Sequence, residues 1–176
     1  MIVMLLYCII SYVVVKRKVY DAIKLEGNVY ECDKIATPFV LGVIKPRVYI
    51  PYHMDKDSRK YVITHEKAHI KRGDHITKIV GFILLTVYWF NPFIWIAYGL
   101  LCKDIELSCD EKVMKNIGED KKKQYSKVLL EYSVSKKVIN ACPLAFGQVA
   151  VKQRIKNVLN YKKPAFWIVI LSVIVC

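Results

Sequence analysis

The chain has 176 residues, enough for one domain with a real core but short for two. Its 55% apolar content exceeds the ~45–50% of soluble domains, yet 24% of residues are charged, which excludes a purely membrane-embedded protein. The net charge of +13 would suit nucleic acid or an anionic membrane surface. The basic residues are spread along the chain and flank apolar segments, with no helix-turn-helix pattern. Membrane lipid is therefore the expected contact, and direct nucleic-acid binding is not. Six cysteines without any CxxC pair exclude a cysteine zinc site and a disulfide framework.

Residues 1–15 carry no charge and are followed by Lys16-Arg17-Lys18; residues 164–176, after Lys162-Lys163, mirror them. Each apolar end is shorter than the ~20 residues that span a bilayer. They read as the end of one transmembrane helix and the start of another, both continuing beyond this sequence. Positive charge at both inner ends places residues 16–163 on the cytosolic side of a cell membrane.

Between them, residues 39–50 are β-branched and interrupted by Gly42 and Pro46, which predicts two short strands and a turn. Residues 56–72 predict a helix capped by Asp55 or Asp57 and stopped by Gly73. Residues 76–102 hold one charge, Lys78, and are broken at Asn91-Pro92. A membrane-associated helical hairpin satisfies both features. Further helices are expected over 104–117, over 120–138 with Tyr125, Val128, Leu129 and Tyr132 on one face, and over 151–160. The fold class expected is α-rich α+β.

The chemistry is concentrated in His65-Glu66-Lys67-Ala68-His69. On a helix, positions i and i+4 share a face, so both imidazoles can reach one metal ion while Glu66 projects towards its open side. Zinc with three protein ligands keeps a position for water, and an adjacent carboxylate can take that water's proton. Glu106 and Asp110 are another i, i+4 pair on a later helix. Glu106 could complete a two-histidine, one-glutamate site, and Asp110 could accept a hydrogen bond from the outer nitrogen of His65. A solvated acidic face is the plainer reading of that pair.

Several stretches together carry a resemblance. They are Pro38-Phe39-Val40-Leu41-Gly42, Pro46 to Pro51, HEKAHIKRGD from His65 to Asp74, Trp89-Phe90-Asn91-Pro92, Glu106-Leu107-Ser108-Cys109-Asp110-Glu111, Ala145-Phe146-Gly147, and Lys152-Gln153-Arg154-Ile155. In this order they resemble the metallopeptidase domain of the bacterial β-lactam sensor-transducers of BlaR/MecR type. The resemblance implies a zincin-like domain on the cytosolic side, one zinc ion on His65, His69 and Glu106, and Glu66 as the base. It also implies an endopeptidase that cleaves itself and a cytosolic transcriptional repressor, with self-cleavage near Ala145 and Phe146.

The strand Val48-Tyr49-Ile50 reads either as an edge that binds extended substrate or as a core strand. No sensor domain accompanies the peptidase. Ser133-Val134-Ser135-Lys136 fits SxxK without the motifs that would give it meaning. A missing sensor domain and a second copy of the chain are further partners to consider. Two other functions stay open: a quality-control or prenyl-protein zinc peptidase of the membrane, and a non-catalytic scaffold stabilised by zinc. The intact Glu66 and the finding of three ligands rather than four argue against the scaffold.

Overall fold

The computed structural model describes residues 2–117, 121–134 and 147–161. In chain order the elements are α1 (Ile2–Lys18), β1 (Ile23–Glu26), β2 (Val29–Cys32), β3 (Phe39–Leu41), β4 (Arg47–Pro51), α2 (Lys56–Arg72), α3 (Asp74–Val87), α4 (Pro92–Asn116), α5 (Lys122–Val134) and α6 (Gly147–Leu159). The result is a helix-rich α+β fold with one small sheet.

The sheet has strand order β1-β2-β4-β3. β1 and β2 form an antiparallel hairpin over the turn at Gly27 and Asn28, and Gly27 takes a φ of 57° there. β2 and β4 run parallel, with Val29 opposite Val48 and Glu31 opposite Ile50. β3 lies antiparallel on the outer side of β4, with Phe39 opposite Tyr49 and Leu41 opposite Arg47. The strand–turn–strand expected over 39–50 is present, whereas the hairpin over residues 23–32 was not foreseen. Its Gly-Asn turn between β-branched and aromatic residues is a usable hairpin signal.

β4 is therefore an inner strand, which corrects the edge reading of Val48, Tyr49 and Ile50. These residues are 0%, 6% and 0% exposed. Burial on both faces, rather than alternation, is what a covered strand shows. The open edge on that side of the sheet belongs to β3.

Helix α2 begins and ends as its sequence dictates. The Asp55 carboxylate accepts from Ser58 N–H, and Gly73 closes the helix at φ 73°, its N–H returning to the His69 and Ile70 carbonyls. Gly73 also starts α3, so a single left-handed residue sets the angle between the two helices. Asn91 and Pro92 separate α3 from α4: the Asn91 side chain accepts from Phe93 N–H and Pro92 occupies the first turn. The expected break near residue 103 is absent. α4 runs unbroken from Pro92 to Asn116, because nothing beyond Gly99 interrupts the pattern and one mid-helix glycine is tolerated. Gly81 lets α3 and α4 approach closely, since a Cβ there would lie 2.7 Å from Leu101.

Among the described residues four apolar clusters hold the domain together, one of them Val19, Cys32, Ile35 and Tyr49. Val29, Val48 and Ile50 pack with Val62 of α2 and Val128 of α5. Val113 and Met114 of α4 pack with Tyr125 and Leu129 of α5 and Val158 of α6. Phe82, Leu85 and Tyr98 close the α3–α4 pair. In contrast, no residue of α1 is fully buried, although Met4 packs against the α3–α4 cluster, and α3 exposes Ile76, Ile79, Val80, Ile83, Leu84 and Val87. Among the described residues no helix is long and apolar enough to cross a membrane. The apolar stretch at 164–176 and the segment holding Ala145 and Phe146 lie outside the described residues.

Gly73→Ala should cost about 1–2 kcal/mol, because an L-residue is strained in the left-handed region. A Cβ there meets nothing within 4 Å, so the cost is conformational rather than steric. Denaturant unfolding of Gly73→Ala beside Gly73→Asn, which tolerates this conformation better, checks it.

Candidate metal centre

His65 and His69 share the buried face of α2, and their Nε2 atoms lie 3.1 Å apart. Glu106 reaches them from α4: its Oε2 is 3.7 Å from His65 Nε2 and 3.8 Å from His69 Nε2. Three donors ~2.0–2.2 Å from one tetrahedral zinc ion lie roughly 3.3–3.6 Å apart. The triangle of two imidazole nitrogens and one carboxylate oxygen is close to that spacing, so the donor set fits zinc. Glu66 is buried beside His65 and lines a cavity of about 40 Å³ with Pro38, Val62, His65, Tyr125 and Arg154. Lys67 faces solvent on the opposite side of α2.

The outer ring nitrogens are also held. His69 Nδ1 lies 2.7 Å from Asp74 Oδ2, on the first turn of α3. His65 Nδ1 lies 2.8 Å from the Tyr125 hydroxyl, which donates to Asp110 Oδ1 at 2.8 Å. Both contacts favour the tautomer with a proton on Nδ1, leaving Nε2 as the lone-pair donor. Asp110 was expected to take the His65 hydrogen bond itself. It sits 3.4 Å from Nδ1, and Tyr125 relays the contact.

Two cations hold the carboxylates. Arg154 of α6 donates from Nε and NH2 to the Asp110 oxygens at 2.6 and 2.9 Å. Its NH1 lies 3.0 Å from Glu106 Oε2. Lys78 of α3 donates to Glu106 Oε1 at 3.2 Å. Burial works against the Arg154 charge, but Glu106 and Asp110 outweigh it and hold its pKa above the usual arginine value.

Cys109 was not foreseen as part of the site. With His65 and His69 it forms a second group whose ligand atoms lie close enough to hold a metal ion. Its Sγ is 3.6 Å from His65 Nδ1, the nitrogen already bonded to Tyr125, and it donates to the His65 carbonyl. One ion cannot use both ring nitrogens of His65. The geometry therefore favours the Nε2, Nε2, Oε2 set over one that includes the thiol.

Burial opposes a charge on His65, but the Cys109 thiol and Glu106 outweigh it, and its pKa is pushed up to about 9. His69 is raised in the same way, with Glu66 adding to the effect of Glu106. The 3.1 Å between the two Nε2 atoms suits one shared proton rather than one on each.

From sequence alone Tyr125 shows only as part of a helix face, Arg154 and Asp74 only as parts of longer motifs, and Lys78 only as a lone charge. Charged residues within otherwise apolar stretches were the available signal for Lys78. Nothing local marks the others.

Three expected outcomes follow from this arrangement. A histidine whose folded pKa is raised adds stability that is complete below its ordinary value of about 6.5. That stability is lost as pH rises through about 9. The chelated protein should therefore melt at falling temperature over that interval. Zinc needs a proton-free Nε2, so its affinity, measured against a competing chelator, should rise over the same interval. Asp74→Asn should weaken zinc about 10–100-fold in that competition, because the His69 ring loses its anionic partner.

The chain is similar to known proteins over most of its length. The family model described as BlaR1 peptidase M56 matches residues 1–158. The chain is 30% identical over 135 residues to regulatory protein BlaR1 of Bacillus licheniformis, covering 73% of this chain and 22% of that protein. It is 28% identical over 136 residues to the methicillin resistance mecR1 protein of Staphylococcus aureus (strain Mu50 / ATCC 700699), covering 72% of this chain and 23% of that protein. To BlaR1 of Staphylococcus aureus it is 27% identical over 134 residues, again 73% of this chain and 23% of the relative. The match thus spans under a quarter of these relatives' own length. With the family model covering most of its length, the chain belongs to the BlaR1-type M56 peptidase family.

Proposed function

We propose that this chain is the zinc-dependent endopeptidase part of a membrane-anchored signalling protein, an antirepressor that cleaves itself, a cytosolic transcriptional repressor, or both. The observation that carries the reading is the meeting of His65 Nε2, His69 Nε2 and Glu106 Oε2 beside a cavity lined by Glu66. A structural zinc site is normally closed by four protein ligands and has no use for a buried carboxylate at its open side.

His65, His69 and Glu106 would hold the zinc ion, which supplies Lewis acidity to a peptide carbonyl and makes a bound water acidic. Glu66 takes the proton of the attacking water and delivers it to the leaving amine. Asp74 and the Tyr125–Asp110 relay keep both imidazoles facing inward, so the site needs little rearrangement before reaction. Extended substrate would add to the open edge of β3, which begins one residue after Pro38 on the cavity wall.

Membrane attachment is supported by the unburied apolar α1 ending in Lys16-Arg17-Lys18, and by the exposed apolar side of α3. That charge pattern supports a catalytic domain on the cytosolic side of a multi-pass protein. It also puts a cytosolic repressor within reach as substrate. Self-cleavage near Ala145 and Phe146 is part of the same proposal.

Wild type and Glu66→Ala, each in membranes, should both hold one zinc per chain. Only wild type should show self-cleavage by intact mass, lost on chelation; loss of the base should slow it at least ~100-fold. Zinc in both but cleavage in neither, with a co-expressed repressor also left whole, would turn the reading towards a scaffold. Zinc in neither would remove the site assignment.

A further inference from the structure

Arg154 is placed more deeply in this site than a tie between helices requires. Its side chain is 5% exposed and comes from α6, yet it lines the cavity that holds Glu66. The guanidinium has five N–H donors in a fixed plane. One edge, Nε with NH2, is spent on Asp110. The other edge, NH1 with NH2, faces the proposed donor atoms: NH1 lies 3.0 Å from Glu106 Oε2 and NH2 lies 3.4 Å from His65 Nε2.

The second contact cannot persist with a metal in place. His65 Nε2 has one lone pair, and it cannot both bind an ion and accept a hydrogen from Arg154. With an ion on that lone pair, the NH2 group keeps no acceptor on His65, beside the cavity that Arg154 lines. A buried N–H without an acceptor is costly, so the arrangement calls for an oxygen from outside the protein. The first edge is meanwhile locked by two bonds to Asp110, itself fixed by Tyr125. The cation is therefore preorganised, in surroundings where a fixed positive group acts strongly on developing charge.

We propose that Arg154 is a further catalytic residue: its NH2 group binds the carbonyl oxygen of the peptide bond under attack and stabilises the negative charge that develops there. This rests on the peptidase reading above. Glu66 and Arg154 then divide the work, the carboxylate handling the proton and the guanidinium the charge on oxygen. No proton leaves Arg154 at any step. The carbonyl oxygen gains charge as water adds and gives it up when the C–N bond breaks.

The test uses the full chain in membranes, with wild type, Glu66→Ala, Arg154→Lys and Arg154→Gln compared for bound zinc, melting temperature and self-cleavage rate. Lysine keeps a positive charge beside Asp110 and Glu106 but lacks the two-edged fork. Arg154→Lys should keep one zinc per chain and a cooperative melt, at a lower temperature than wild type because the two bonds to Asp110 are lost, while cleaving ~100–1,000-fold more slowly. On a peptide covering residues 135–150 added in trans, the loss should fall on kcat and leave KM near wild type. Arg154→Gln, which keeps an N–H but not the charge, should be slower again.

A lysine variant that holds zinc and cleaves within about threefold of wild type overturns the proposal. Loss of zinc or of folding in both Arg154 variants also overturns it, making Arg154 a structural tie. If wild type cleaves no faster than Glu66→Ala, the peptidase reading itself fails, and that result is distinct from either outcome at Arg154.

Discussion

The site depends on one carboxylate. Glu106 is where four helices meet: α4 carries it, α2 presents the two imidazoles to its Oε2, α3 holds its Oε1 through Lys78, and α6 touches it through Arg154. A negative charge largely shielded from solvent, as at Glu106 with 16% of its side chain exposed, is tolerated only with opposite charge and hydrogen bonds around it. The same carboxylate that would close a metal site therefore also organises the helices. This explains why the cations come from separate elements rather than from α4 itself. Each is the end of a helix–helix contact as well as a counter-charge.

The polar groups of the site form a connected set rather than isolated pairs. Starting from His65, the chain of contacts runs through Tyr125 to Asp110, through Arg154 to Glu106, and on to Lys78. His69 and Asp74 complete it on the far side. Such networks are strong when every member is satisfied and weak when one is missing, because an orphaned partner keeps its full desolvation cost. The small apolar clusters around the site are in keeping with this. They pack around the network, and a narrow cavity lies beside Glu66.

The legibility of these features in the sequence follows from how local they are. His65, Glu66 and His69 lie within one helical turn and a residue, so spacing alone puts them together. The caps of α2 at Asp55 and Gly73 were equally local. Glu106 could be picked out because it shares a face with Asp110, but its approach to the histidines depends on how α3 and α4 fold back. Tyr125 and Arg154 reach the site from helices 60 and 89 residues beyond His65, and no pattern in their own segments shows it. The inner position of β4 was one of two readings for a related reason. A run of three apolar residues fits an edge or a centre, and only the partner strands decide. The continuity of α4 was missed because the change from apolar to charged composition near Lys103 looked like a boundary, whereas the backbone has no reason to stop there.

The pairing of Lys78 with Glu106 has a consequence for how the protein is made. The two residues are 28 positions apart, and the lysine emerges first during synthesis. Until α4 follows, α3 is an apolar helix with an unmatched ammonium group on it, and neither water nor an apolar phase suits the whole of it. The helix therefore cannot settle alone. It becomes compatible with apolar surroundings only when α4 folds back and brings its acid, and by then the acid already lies against the histidines of α2. Seating the hairpin and assembling the centre are one event, so a nascent chain that fails to bring α4 home is marked by a stranded charge as well as by an incomplete site.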